Sequence, residues 1–231
     1  MTRDERPSRL LLIRHGRVDF DDRHFRDAGG PRGPQWDPPL DEGGREQAEL
    51  LAARLASIER PSGVFTSPFR RCRQTLEPYT RVAGIEPVVV DELGEVHVGE
   101  WEGVRFEDLL AREEDTIRRR LHDQDALFDI APGGETGAEL RDRVYPAIER
   151  IVATARPGNI LVVAHGGVIN AYLGRIMSIP RDMFFFPENT SVSTVDVEGD
   201  ERRIRFLGDV SHLAMPALFG PPPGALAPDA D

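Results

Sequence analysis

The chain has few of the residues and segments on which several protein classes depend. Its single cysteine, Cys72, excludes an internal disulfide and a cysteine-based zinc site, and we expect a small buried thiol there. No apolar run approaches the roughly 20 residues that span a bilayer, so we expect no membrane helix. The first ten residues, MTRDERPSRL, are charged and lack an apolar stretch, so they do not resemble a secretory signal. We therefore expect a cytoplasmic protein with no membrane partner.

Positive charge is also in short supply. The 231 residues include 29 arginines and no lysine against 40 acidic residues, a formal net charge of −11. A nucleic-acid partner needs a basic face, so the balance argues against one. The arginines nevertheless cluster locally, as Arg14 with Arg17 and as Arg70, Arg71 and Arg73. Local arginine clusters on an acidic chain indicate a small anionic ligand.

Strand and helix patterns alternate along the chain. The predicted elements are strand 9–14, helix 43–58, strand 63–66 and the helix after it, strand 87–92, helix 104–124, helix 138–155, strand 159–164 and the helix after it, and edge strands 191–198 and 202–210. For the helix after 63–66, we predict that Ser67 is the cap and Pro68 the first helical residue. This order predicts an α/β three-layer sandwich, with a largely parallel sheet covered by helices on both faces.

The segments outside this core are also distinctive. We expect one α/β domain over residues 1–214, followed by a Pro/Gly/Ala-rich tail at 215–231. Residues 19–41 form an unusually long loop, which is typical of a functional lid or of a mobile segment.

Polar residues follow three of the predicted strands. Arg14 and His15 end the first strand, Arg71 lies early in the helix after strand 63–66, and His165 ends strand 159–164. Each of these residues alone has a structural explanation. Ligands of open α/β sheets, however, bind at the carboxyl ends of the strands, where helix N-termini attract anions. Taken together, these four polar residues predict an anion pocket.

These segments resemble the signatures of a known family. LIRHG, TSPFRRCRQT, LGEVHVGEWEG, PGGET and VVAHGGVI are similar, in order and over about residues 9–197, to those of the histidine phosphatase superfamily. The resemblance implies a phosphoglycerate-mutase-like α/β fold. It also implies a phosphohistidine mechanism that needs no metal and no cofactor.

The resemblance carries over to individual positions. His15 matches the nucleophile, and Arg14 and Arg71 match the two phosphate-binding arginines. Glu95 matches the acid that protonates the leaving group. His165 matches the second histidine, which contacts the phosphoryl group.

The segment after His15 departs from the family pattern. Arg17, Val18 and Asp21 stand where a polar residue, a hydroxyl residue and an asparagine are frequent. The substitutions remove two usual polar contacts, and an inward-pointing Asp21 would repel a phosphate. Arg17 either binds the substrate phosphate in compensation or is a solvated loop residue.

The resemblance favours a phosphomonoesterase that acts on a small phosphorylated metabolite. The alternatives are a cofactor-dependent phosphoglycerate mutase and a non-catalytic phosphate-binding protein. Mutases of the family typically carry ERHYG after the acid, whereas Glu95 precedes Val-His-Val-Gly-Glu-Trp here. Sugar phosphates, phosphoglycerates and nucleotides stay open as substrates, and we expect loop 19–41 and helix 104–124 to select among them.

Overall fold

The computed structural model describes residues 7–27, 32–105, 108–109, 111 and 126–213. Its strands are β1 (Ser8–Arg14), β2 (Phe25–Arg26), β3 (Gln35–Trp36), β4 (Gly63–Thr66), β5 (Val88–Val89), β6 (Asn159–Ala164), β7 (Val192–Glu198) and β8 (Glu201–Asp209). The α-helices bounded within these ranges are α1 (Glu42–Ala56), α2 (Arg70–Ala83), α3 (Gly137–Thr154) and α4 (Gly166–Met177). Most of the predicted helix 104–124, and the predicted tail 215–231, lie outside the described residues.

The main sheet has six strands in the order β5-β4-β6-β1-β7-β8. Strands β5, β4, β6 and β1 are mutually parallel, while β7 and β8 are antiparallel to their neighbours. The predicted largely parallel sheet is therefore confirmed. The prediction that the last two strands are both edge strands is wrong for β7, which pairs with β1 on one side and β8 on the other. Alternating polarity shows that a strand is half-buried but does not reveal its neighbours.

Successive residues of β1 point to opposite layers of helix. Leu10 and Leu12 pack in the core formed with α3 and α4, whereas Leu11 and Ile13 pack against α1 and α2. This alternation follows from the two-residue period of a strand. Each such side chain contributes about 1.5–3 kcal/mol when fully buried. The predicted helices on both faces are confirmed.

Helix α2 begins later than predicted, at Arg70 rather than Pro68. Ser67 does not cap it, because the Ser67 Oγ instead lies 2.7 Å from the Nε2 of His165. The carboxylate of Asp37, from the long loop, accepts the Arg70 N–H at 2.9 and 3.1 Å. A distant residue thus satisfies a helix N–H that would otherwise lack a partner.

The predicted strand 87–92 is shorter in the structure. Only Val88 and Val89 pair with β4, which itself ends at Thr66. Asp91–Leu93 form a 3-10 turn instead. The strand ends where its partner ends, because ladder hydrogen bonds need a neighbour.

The long loop 19–41 has some structure of its own. Strands β2 and β3 pair antiparallel within it, and Val18 and Leu40 form a bridge at its base. Val18 and Leu40 are buried together with Ala48 of α1, so the base of the loop is anchored to that helix.

Candidate active site

The register of the sheet brings two histidines together. Arg14 pairs with Ala164 at the carboxyl ends of the adjacent parallel strands β1 and β6. His15 and His165 follow directly, and their ring centroids are 5.2 Å apart. The backbone N–H of His15 donates to the carbonyl oxygen of Ala164 at 3.0 Å. The strand pairing itself therefore positions both rings.

The His15 ring is buried and oriented by one hydrogen bond. Its Nδ1 lies 2.8 Å from the carbonyl oxygen of Gly16, and because a carbonyl only accepts, Nδ1 carries the proton. In the neutral ring the lone pair is then on Nε2, and no described residue forms a hydrogen bond with this nitrogen. Burial, followed by the charges of Arg71 and Arg14, holds the pKa of His15 well below its usual value. The ring is thus a neutral base with a free Nε2.

Glycine at position 16 permits a close approach between the β1 loop and α1. A Cβ on Gly16 would lie 2.8 Å from the carbonyl oxygen of Gly44, and a Cβ on Gly44 would lie 2.0 Å from that of Arg17. The Gly16 N–H also donates to the Thr75 Oγ1 at 2.8 Å. Any larger residue at position 16 would push the His15 loop off the helix.

His165 is fully buried at the start of α4. Its Nδ1 accepts from the Nε of Arg71 at 3.3 Å, so its Nε2 bears the hydrogen and donates to the Ser67 Oγ at 2.7 Å. Burial and then the Arg71 charge hold the pKa of His165 well below its usual value. Both ring nitrogens have protein partners, and one of these partners is a predicted phosphate-binding arginine.

Arg71 is held on several sides. Its guanidinium lies 4.4 Å from the centroid of the Phe69 ring, and its Nη1 lies 3.2 Å from the carbonyl oxygen of Trp36. The same Nη1 is 3.6 Å from an oxygen of Asp37, whose side chain is almost fully buried. The long loop thus fixes this cation before any ligand binds.

Arg14 has an unused donor. Its Nη1 donates to the carbonyl oxygen of Pro187 at 2.6 Å, but its buried Nε has no hydrogen-bond partner among the described residues. Burial lowers the pKa of this guanidinium, although the carboxylates of Glu95 and Glu188 oppose the shift. A buried N–H without a partner is costly, which indicates a ligand acceptor at this point.

Glu95 lies beside the N-terminus of α4. Its Oε1 accepts the N–H of Val96 at 3.0 Å, and its Oε2 accepts the N–H of Gly167 at 3.3 Å. Burial nevertheless raises its pKa above the usual value, against the hydrogen bonds and the two arginines. A Cβ on Gly167 would lie 2.5 Å from the Glu95 Oε1, so this glycine makes room for the carboxyl group.

Arg17 is directed away from the buried cations. Its Nε donates to Asp41 at 2.6 Å, and 59% of its side chain is exposed. It still lines a small cavity of about 170 Å³ beside His15, together with Arg14 and Arg71. Asp21, which also departs from the family pattern, does not face the site, since it is exposed and ion-paired with Arg105.

A larger cavity of about 400 Å³ adjoins the two arginines. Arg14, Arg71, Glu95 and the first two residues of α4 form its polar end. The remaining walls are mainly apolar and come from residues 35–36, from Phe69 and Leu109, and from the segments around residues 96–104, 127–131 and 183–187.

Sequence reasoning missed several residues of this site. They are Gln35 and Trp36, which line the larger cavity, Asp37 and Ser67, which hold the arginine and the second histidine, and Asn189, whose Nδ2 donates to the His15 carbonyl at 3.0 Å. Ser67 alone offered a signal, because it lies within the TSPFRRCRQT segment. The others lie in loops without a periodic pattern.

Neither a metal cluster nor a membrane helix occurs in the described part of the chain. Within it, no group of three or more His, Cys, Asp or Glu residues could hold a metal ion. None of the helices in these ranges is long and apolar enough to cross a membrane. Cys72 is fully buried, as predicted, and burial raises the pKa of its thiol to about 12.

Known proteins are similar to this chain in sequence. It is 30% identical over 206 residues to a metal-independent phosphoserine phosphatase of Arabidopsis thaliana, across 89% of this chain and 83% of that protein. It is 31% identical over 216 residues to a probable phosphoglycerate mutase of Photorhabdus laumondii, across 90% and 96% of the two chains.

A solved structure and a family model agree with these relatives. A mycobacterial glucosyl-3-phosphoglycerate phosphatase with VO3 matches with a TM-score of 0.69 at 26% identity, over 86% of this chain and 96% of that one. The family model for the histidine phosphatase superfamily (branch 1) matches residues 10–210. The chain therefore belongs to the histidine phosphatase superfamily and is a histidine phosphatase with the phosphoglycerate-mutase-like α/β fold.

Proposed function

We propose that this enzyme is a metal-independent phosphomonoesterase that acts on a small phosphorylated metabolite through a phosphohistidine at His15. The observation that carries the proposal is the state of the His15 ring. Its Nδ1 is bonded to the Gly16 carbonyl at 2.8 Å, so its Nε2 has a lone pair and no described partner. Such a nitrogen, beside two guanidinium groups, is suited to attack phosphorus.

Arg14 and Arg71 supply the charge that the phosphoryl group needs. During transfer, negative charge spreads over the equatorial oxygens, and catalysis consists mainly of positioning and electrostatic stabilisation. The unpartnered Nε of Arg14 is a ready donor to one oxygen. The N-terminus of α4 adds a partial positive charge at the same place.

Glu95 is the proposed acid. Its raised pKa favours the protonated carboxyl group, which can give its proton to the leaving oxygen as the P–O bond breaks and the Nε2–P bond forms. The resulting carboxylate then takes a proton from water. The water oxygen attacks phosphorus, the P–N bond breaks with its electron pair returning to Nε2, and inorganic phosphate is released.

His165 has a proposed role through Arg71. Because its Nδ1 accepts from the Arg71 Nε at 3.3 Å, the ring orients the guanidinium toward His15. A protonated His165 could not accept this bond, so its lowered pKa supports the role. A direct hydrogen bond from the His165 Nδ1 to the phosphoryl group would require Arg71 to release this nitrogen and the nitrogen to take up a proton.

The test is to trap the phosphoenzyme. Incubation with p-nitrophenyl phosphate in the presence of a chelator, followed by rapid quenching, should give acid-labile protein-bound phosphate located at His15 by mass spectrometry. His15→Ala should abolish both this phosphate and turnover. His24→Ala, at an exposed histidine, should retain both. Phosphate on another residue, or its persistence in His15→Ala, would overturn the nucleophile.

A phosphoglycerate mutase is the second candidate, because a relative at 31% identity carries that name. The two functions differ in the acceptor of the phosphoryl group. A phosphatase passes the phosphoryl group of phospho-His15 to water even when phosphoglycerates are present, whereas a mutase returns it to a glycerate. Product analysis by phosphorus NMR distinguishes the two outcomes.

A further inference from the structure

The larger cavity is where the rest of the substrate would lie. The proton donor must be close to the leaving oxygen, and Glu95 lines the larger cavity but not the small one beside Arg17. Arg14 and Arg71 line both cavities, as groups bound to the transferring phosphoryl should. The leaving group therefore extends from the phosphoryl site into the cavity of about 400 Å³.

The walls of this cavity are mostly hydrocarbon and aromatic. Beyond the polar end, the lining side chains share an apolar character; they include Val98, Trp101, Val104, Leu127, Phe128 and Phe186. At its rim, Phe186 is 64% exposed. An apolar group entering the cavity would cover these surfaces, which favours binding in proportion to the area removed from water.

The described residues that line the cavity offer no further cation for a second anionic group of the substrate. The only cations among them are Arg14 and Arg71, and both are taken up by the phosphoryl group. Outside the lining, Arg26 stacks over Phe69 at 5.7 Å and is ion-paired with Asp91.

The remaining ionisable groups in the lining are two carboxyl groups, of which Glu95 is proposed to hold its proton when the substrate binds. Glu95 and Glu102 both face the cavity. The Glu102 carboxylate is held in place, because it accepts the backbone N–H groups of Val98 and Trp36, each at 2.9 Å. A substrate carboxylate in this cavity would lose its hydration without gaining a counterion from the described residues of the lining.

We propose that the preferred substrate is a phosphomonoester of an apolar, preferably aromatic alcohol that carries no charge besides its phosphate. This proposal rests on the phosphomonoesterase function proposed above. Such a preference would distinguish this enzyme from a phosphatase that acts on phosphoserine or on a phosphoglycerate. The carboxylate of each of those substrates needs a cation in the binding site.

The experiment compares three alkyl phosphates whose leaving groups are all primary alcohols. They are 3-phenylpropyl phosphate, glycerol 3-phosphate and phosphoserine, so the intrinsic reactivity of the ester bond varies little. We expect kcat/KM for 3-phenylpropyl phosphate to exceed that for glycerol 3-phosphate by about 10- to 100-fold. Phosphoserine should be the poorest of the three substrates.

Two variants of the wall sharpen the comparison. Leu127→Lys would place a cation in the cavity, and it should lower the preference for the phenylpropyl ester over phosphoserine by about tenfold or more. Phe186→Ser, at the exposed rim, should lower the preference over glycerol 3-phosphate without a change in the core. The matched control is Val82→Lys, at a residue of α2 that is 79% exposed and outside the cavity, and it should preserve both ratios.

Each outcome separates this inference from the function on which it rests. Equal or better turnover of phosphoserine or glycerol 3-phosphate by the unmodified enzyme, with phosphoenzyme formed, overturns the apolar substrate and leaves the phosphatase in place. Unchanged ratios in both wall variants also overturn it. Failure of every ester to form phosphoenzyme overturns the proposed function itself.

Discussion

The phosphate end of the site, where Arg14, His15, Arg71 and His165 meet, and the larger cavity beside it are built from different parts of the fold. Arg14 is the last residue of β1, and His15 and His165 directly follow β1 and β6, whose paired backbones hold them in place. The cavity walls come instead from the short turns Gly99–Trp101 and Phe128–Ile130 and from loop residues 183–187. Strand ends carry the proposed nucleophile, and loops carry the proposed selection of the leaving group, which is a common division of labour in enzymes.

Glu95 stands between the two regions, and its replacement should slow the enzyme more than replacement of Arg71 or Arg17. Glu95→Gln should slow phosphorylation of His15 by ethyl phosphate by about 10²–10⁴-fold, because an alkoxide needs a proton to leave. Phosphorylation by p-nitrophenyl phosphate should change little, because its phenolate leaves unprotonated. Single-turnover phosphorylation, measured by rapid quench, avoids the masking effect of slow dephosphorylation. Equal losses with both esters would remove Glu95 as the donor.

The pH dependence of phosphorylation tests the role of Glu95 independently. Phosphorylation by the alkyl ester should decline as pH rises through the raised pKa of Glu95, since the carboxyl group must carry its proton. It should also decline as pH falls through the lowered pKa of His15, since the ring must be neutral. Glu95→Gln should remove the decline at high pH and keep the decline at low pH. A high-pH decline that survives the substitution would belong to another group.

The three arginines at the start of α2 test whether Arg71 alone among them binds the phosphoryl group. Arg71 is buried against Phe69 and lines both cavities, while Arg73 is exposed two residues away. Arg71→Ala should lower kcat/KM by about 10- to 100-fold, because each lost charge-assisted hydrogen bond contributes about 1.5–3 kcal/mol. Arg70→Ala and Arg73→Ala should stay within about twofold, below the roughly 1.4 kcal/mol that a tenfold change represents. Similar losses at all three positions would mean that the clamp is misplaced.

Arg17 should show the smallest effect. Its guanidinium is ion-paired with Asp41 at the surface, and exposed pairs contribute about 0–1 kcal/mol. Because that pair keeps the guanidinium at the surface, Arg17→Ala should change kcat/KM by less than about fivefold, which corresponds to about 1 kcal/mol. Steady-state kinetics with p-nitrophenyl phosphate measures this, and Arg45→Ala, at an exposed residue of α1, serves as the control. A loss as large as that of Arg71→Ala would show that Arg17 leaves Asp41 to bind the phosphoryl group.

The phosphate end could be predicted from the sequence because its residues follow recognisable strands. His15 and His165 each end an apolar run, and parallel strands bring their carboxyl ends to one edge. Glu95 could be identified only by its resemblance to a family motif, since it lies in a loop between short turns. The predicted start of α2 was wrong because Ser67 is a good cap by local rules. Its hydroxyl is used by His165, which is 98 residues away in the chain.

Local sequence patterns are enough to predict the order of the main strands and helices, the packing of helices on both faces of the sheet and the residues at the ends of β1 and β6. These features depend on local periodicity, which is written into neighbouring residues. Three features became visible only in the fold: Asp37 holds Arg71, Arg17 turns to Asp41, and an apolar cavity adjoins the cations. Those contacts join residues from separate loops, and no local pattern records which loops will meet when the core is buried.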